Sequence, residues 1–185
     1  MCLPESGFLE SERLLLRRPE RRDIPAIVPL ANDFDVAKNL STMPHPYTAA
    51  DGEAFMARMD EKRDNRADFV FAITRKPDGV YMGSIGLHER DEGYEFGYWL
   101  GKPFWRHGYA TEAAHRLIAF AFDEVNADFV WAGWFHDNPR SGNVLAKLGC
   151  VPRGFTRRHC QARGMEIGCN EVTLSREAFL VRRAA

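Results

Sequence analysis

Residues 94–113 read YEFGYWLGKPFWRHGYATEA. YEFGYWL is built from aromatic and β-forming residues and is expected as a strand. GKPFWRHG carries two glycines and a proline, the composition of a loop. TEAAHRLIAFAFDEV, residues 111–125, follows with Ala113, Leu117 and Ala121, and Ile118 or Phe122, on an inward face, and is expected as a helix. The first turn of a helix has N–H groups without intrahelical partners, and the aligned peptide dipoles add partial positive charge there. A strand running into such a turn makes a place for a phosphate. Gly108 and the small Ala110 leave the approach unobstructed, and Arg106 and His107 can add charge.

Upstream, residues 12–17, ERLLLR, form a first strand ahead of Pro19. Asp23 reads as an N-cap with Pro25 in the first turn of a helix reaching Asn32, with Ile24, Ile27, Val28 and Leu30 as its apolar stripe. Residues 34–46 read as a loop with one helical turn. Thr48 reads as the cap of a helix over residues 50–62, with Phe55, Met56 and Met59 on one face. DFVFAIT, residues 68–74, and residues 80–87 make a hairpin about Lys76-Pro77-Asp78-Gly79. A turn at Asp91-Glu92-Gly93 then leads into the 94–100 strand, the third of this meander and the fourth from Glu12.

Downstream, a strand over residues 129–135 ends at Asp137-Asn138-Pro139. A short helix over 141–147 stops at Gly149. Strands over 151–159 and 171–174 and a helical turn from Ser175 complete the chain. A meander followed by strand–helix–strand–helix is an α/β arrangement with a mixed sheet.

The 185 residues suit one domain, and 45% hydrophobic with 28% charged residues is ordinary for a chain with a core. A net charge of -1 argues against electrostatic nucleic-acid binding. The opening MCLPESGFLESERLLLRR lacks the pattern of a signal peptide, and no apolar run is long enough to span a membrane. Cys2, Cys150, Cys160 and Cys169 lack C-x-x-C spacing, so reduced thiols in a cytoplasm are expected and no metal is assigned. Cys160 and Cys169 flank a turn near Gly164, which leaves open a disulfide or a metal shared with His159. Neither G-x-x-x-x-G-K-[ST] nor a G-x-G-x-x-G after a strand is present, which excludes the two commonest nucleotide-phosphate loops.

Five pieces, in order, resemble the GNAT superfamily of N-acetyltransferases, most closely its RimJ/RimL-type branch. They are ERLLLRRP, YEFGYWL, WRHGYATEA (the superfamily's [QR]-x-x-G-x-[GA] loop), NPRSGNVLAKLG and EVTLSREAF. The resemblance implies a single acetyltransferase domain over residues 12–180, with an extension at 1–11 and a tail at 181–185. It implies a mostly antiparallel mixed sheet flanked by helices, splayed between its fourth and fifth strands. The chain departs from the pattern at Trp105, where the loop has Gln or Arg, and at Leu145, where many members carry a tyrosine as general acid.

The resemblance further implies acetyl-CoA as donor, with its arm along the backbones of Tyr98, Trp99 and Leu100. The pyrophosphate would lie on the segment Trp105, Arg106, His107, Gly108, Tyr109, Ala110 and Thr111, and Asn138 and Asn143 would reach the coenzyme. Glu95 matches an acidic position and is the candidate base, ahead of His88 and His136; a solvated strand charge is its plainer reading. Ser141 matches a serine viewed as an acid toward the thiolate, and as a bare residue it reads as a helix cap. Asn138 with Pro139 also makes an ordinary turn.

The reaction expected is direct acetyl transfer to a primary amine, a protein N-terminus or a small amine, with no acyl-enzyme. A non-catalytic CoA-binding module or sensor is the alternative, and a structural protein with a decayed site a third. The acceptor surface is expected in residues 34–51 and 156–169, whose basic character in the second segment leans toward an acidic acceptor. Partners other than coenzyme and acceptor are not implied, and homodimerisation is left open.

Overall fold

The computed structural model describes residues 7–61 and 68–184. Its strands are β1 (Phe8–Glu10), β2 (Leu14–Arg17), β3 (Asp68–Arg75), β4 (Tyr81–Arg90), β5 (Gly93–Leu100), β6 (Phe129–Phe135), β7 (Val151–Cys160) and β8 (Met165–Ser175). Its helices are α1 (Ile24–Ala31), α2 (Phe34–Ala37), α3 (Ala49–Glu61), α4 (Tyr109–Asp123), α5 (Pro139–Leu148) and α6 (Arg176–Ala184). One sheet of eight strands runs β1-β2-β3-β4-β5-β6-β8-β7. Every neighbouring pair is antiparallel except β5 with β6.

The core lies on both faces of this sheet. On one face α4 presents Leu117, Ile118, Phe120 and Ala121 to Phe69, Phe71, Ile85 and Phe96. Phe120 meets Phe69 and Phe71 edge-on at 5.1 and 5.9 Å, the arrangement aromatic rings prefer. On the other face α1 and α3 bring Ile24, Ile27 and Met56 against Ala72 and Tyr81. Double coverage explains why β4 is buried continuously over its first seven residues instead of in alternation.

β5 decides the site. It pairs along its whole length with β4, and Gly83 makes this possible: a Cβ there would stand 2.0 Å from the Trp99 carbonyl oxygen. With β6 it pairs only at Tyr94↔Val130 and Glu95↔Trp131. From Phe96 onward the two strands part. Counting β1, the splay falls between the fifth and sixth strands.

Several expectations meet a different local structure. Phe8–Glu10 is an edge strand on β2, inside the stretch read as an extension. The helix expected from Thr111 starts at Tyr109, and β8 starts at Met165 rather than Glu171. Asp23 does not cap α1; its buried carboxylate takes two bonds from Arg17, at 2.8 and 2.6 Å, and one from the Glu20 amide. A buried charge needs such partners, and β2 supplies them. Thr48 and Asp51 do exchange bonds at the start of α3, while the expected end of that helix, Lys62, lies outside the described residues.

Cys160 pairs in register with Met165 and Cys169 with Thr156. Four strand positions, roughly 13 Å, separate them, far beyond disulfide reach. Cys150, Cys160 and Cys169 are free thiols. Among the described residues no helix is long and apolar enough to cross a membrane.

Candidate active site

The loop between β5 and α4 is shaped by two left-handed residues, Arg106 (φ 66) and Gly108 (φ 81). Gly108 is the N-cap of α4 and offers no side-chain cap. The first bond of the helix runs from the Glu112 N–H to the Gly108 carbonyl, so the amides of Tyr109, Ala110 and Thr111 precede the ladder. Arg106, His107 and Gly108 are exposed and Tyr109, Ala110 and Thr111 half-buried. Trp105 serves the loop differently. Its indole N–H donates to the Leu100 carbonyl at 2.7 Å and fixes the loop to the end of β5. Its ring lies 5.4 Å from the Arg140 guanidinium of α5.

A second element holds this loop, one that the motifs do not reveal. Arg13, just before β2, donates to the His107 carbonyl at 3.0 Å and to Glu112 at 2.7 Å, and lies over the Tyr109 ring at 4.5 Å. Glu112 also accepts from the Arg13 amide and the Ser11 hydroxyl. Burial pushes the Glu112 carboxyl up, but these bonds outweigh it and hold the group below its ordinary range. ERLLLR and ATEA are each visible in the sequence; that they clasp each other is not.

Side chains of β5 alternate between faces. Tyr98 and Phe96 pack toward the α4 side, whereas Trp99 packs toward α1 and α3, the side on which Glu95 therefore lies. On that side Glu95 accepts from Arg158 at 2.5 Å through one oxygen and from Arg90 at 3.1 Å through the other. Arg158 also donates to Glu171 at 2.8 Å. Glu95 is 16% exposed, so it is no solvated strand charge.

This network floors an open cleft of about 740 Å³ lined also by Ser41, Thr42, His159 and Gln161. The wall joins the two segments in which the acceptor surface is expected. The Gln161 amide donates to the Ser41 carbonyl, and Arg163 donates to the Lys38 carbonyl at 2.8 Å while pairing with Asp137. The basic character of residues 156–169 does not survive as free charge: Arg157 pairs with Glu166, Arg158 with Glu95 and Glu171, and Arg163 with Asp137. His88 is engaged with Asp68 at 2.6 Å, and His136 with the Gly168 carbonyl at 3.2 Å.

Across the splay stands the first turn of α5. Asn138 is its N-cap and accepts from the Ser141 amide at 3.4 Å. Ser141 is therefore not the cap; its hydroxyl meets the Tyr98 hydroxyl at 3.0 Å. Leu145 is buried in the core, so no polar group stands at the helix position where the superfamily tyrosine would be. Asn143 is exposed on the same helix. Burial pushes the Cys150 thiol up to about 11, which makes it a poor nucleophile. Among the described residues no group of His, Cys, Asp and Glu side chains could hold a metal ion.

An open strand edge on β5 is thus followed in the chain by uncapped helix amides at the start of α4. The sequence model of the acetyltransferase (GNAT) domain matches residues 13–151, and the chain belongs to this family of acetyltransferases. The uncharacterized N-acetyltransferase YoaA of Bacillus subtilis is 26% identical over 175 residues, covering 90% of this chain and 96% of that protein. A GNAT-family acetyltransferase of Bacillus anthracis superposes with a TM-score of 0.79 at 24% identity, over 92% of this chain and 99% of that one. The spermidine N-acetyltransferase of Vibrio cholerae, solved with CoA and spermine, superposes with a TM-score of 0.77 at 18% identity, over 92% and 99%.

Proposed function

We propose that the protein transfers an acetyl group from acetyl-CoA to a primary amine while both substrates are bound. The observation that carries this reading is the parting of β5 from β6 after Glu95, directly beside the uncapped amides of α4. The coenzyme arm lies along the free edge of β5 at Tyr98, Trp99 and Leu100, and its pyrophosphate on the amides of residues 106–111. Trp105 anchors that loop, and Asn138 and Asn143 approach the arm from α5. A solved relative in fold that holds CoA supports the choice of donor.

The amine must arrive neutral and lose a proton as the thioester carbonyl is attacked. Glu95 is the base, placed on the face of the open cleft. Both of its oxygens hold guanidiniums, so it acts once Arg90, the more exposed partner, swings away or through a bound water. Ser141 faces the opposite side and serves the departing sulfur. Resemblance to the RimJ/RimL-type branch supports a protein N-terminus or a small amine as acceptor.

The test is thiol release from acetyl-CoA with a panel of peptides bearing free N-termini and of polyamines and amino acids. Thiol above background with at least one acceptor is expected. Tight CoA binding without any release would instead identify a CoA-binding module.

A further inference from the structure

Acetyl transfer leaves a second proton problem, at sulfur. The C–S bond breaks with its electron pair on sulfur, and the thiolate must be stabilised and protonated. Leu145 has no proton to give. The splay, however, places two hydroxyls together from elements that the fold does not otherwise require to meet. Tyr98 lies beyond the last β5–β6 pair, on the face opposite Glu95, and its hydroxyl spans to Ser141 in the first turn of α5 at 3.0 Å. The Tyr98 ring packs against the main core, and its hydroxyl is bonded to Ser141.

We propose that Tyr98 and Ser141 form a two-hydroxyl relay that serves the leaving thiolate, Ser141 donating to sulfur and Tyr98 donating to Ser141. The proposal rests on the transferase reading and supplies, from a strand, the phenol that α5 lacks. The protons balance. Nitrogen loses one to Glu95 and thence to solvent; sulfur gains the Ser141 proton; Ser141 takes the Tyr98 proton; Tyr98 is refilled from solvent as CoA departs. Burial pushes the Tyr98 phenol up to about 12, so it stays protonated through neutral and mildly alkaline pH. Tyr98 acts through Ser141 and is in this sense a positioning residue; Ser141 touches the reacting atom. Acid and base then stand on opposite faces of β5, with the thioester at its edge between them.

Tyr98→Phe keeps the ring and removes only the hydroxyl. With an acceptor found in the panel above, kcat is expected to fall about 100-fold, the low end for lost general-acid assistance, with KM for acetyl-CoA unchanged. Ser141→Ala reads the relay from its other end, and the double variant should be no slower than Ser141→Ala alone, because the two hydroxyls act as a unit. An acceptor-free readout is the ionisation of bound CoA, followed by thiolate absorbance. The bound thiol should titrate at higher pH in Tyr98→Phe than in wild type, an effect that a packing role would not produce. Wild-type kcat in Tyr98→Phe, or a kcat loss matched by weaker CoA binding, overturns the relay. If wild type releases no thiol with any acceptor, the transferase reading itself fails.

Discussion

The loop before α4 is built from backbone, whereas the cleft on the Glu95 face of β5 is built from side chains. In the loop, two left-handed residues set the course and leave a run of amides uncapped, while the side chains of Trp105 and Arg13 only brace it. In the cleft, Glu95 meets Arg158 across 63 positions, and Arg158 reaches on to Glu171. Backbone amides suit a ligand whose phosphates never change. Paired side chains can be exchanged without disturbing the sheet, which suits a partner that differs from one family member to another. In the proposed reading, the coenzyme half of the site is backbone and the acceptor half is side chains.

The sharpest way to break this contrast is Gly108→Glu. It sets a negative side chain beside the uncapped amides and should weaken CoA binding, measured by calorimetry, by about 100-fold or more, some 2.7 kcal/mol. The left-handed φ of 81 adds a stability cost of roughly 1–2 kcal/mol. Unchanged CoA affinity would remove the loop from the site. Glu95→Gln attacks the other half: thiol release should fall by about 100-fold, a typical loss for a general base, while CoA affinity holds. A wild-type rate would take Glu95 out of the chemistry. Arg13→Gln loosens the loop without touching its amides. The exposed ion pair and the cation–π contact contribute about 1 kcal/mol between them, so a roughly fivefold loss of CoA affinity is expected, with kcat near normal. The smallest effect is at Cys150: at neutral pH its raised thiol should alkylate far more slowly than a free cysteine, and no acetyl should remain on it after mixing with acetyl-CoA, both read by mass spectrometry. Acetylated Cys150 would replace direct transfer by an acyl-enzyme.

What is legible in the sequence follows the same division. The meander, α4, α5 and the glycine loop before α4 are readable because each is local: alternation, helical stripes, turn residues and a glycine at the right place. β1 is not, because only Leu9 of its three residues is buried and three residues carry no period. The first half of β8 is not, because Glu166, Gly168 and Asn170 interrupt any strand pattern, and it is pairing with β7, joined by β6 at Asn170, that holds them extended. Glu95 and Ser141 can be named from their place in the motifs, but their partners cannot. Arg158, Tyr98 and the Arg13 clasp are products of contacts between distant segments. The one signal available is that Tyr98 precedes the end of a strand with no helix tyrosine to match it.

The most direct test of where the coenzyme lies is amide hydrogen exchange of the wild-type protein with and without CoA. Protection is expected along residues 98–100 and 106–111, with little change in residues 34–46. Protection confined to other segments, or none at saturating CoA, would contradict the assignment of the β5 edge and the α4 loop as the coenzyme site.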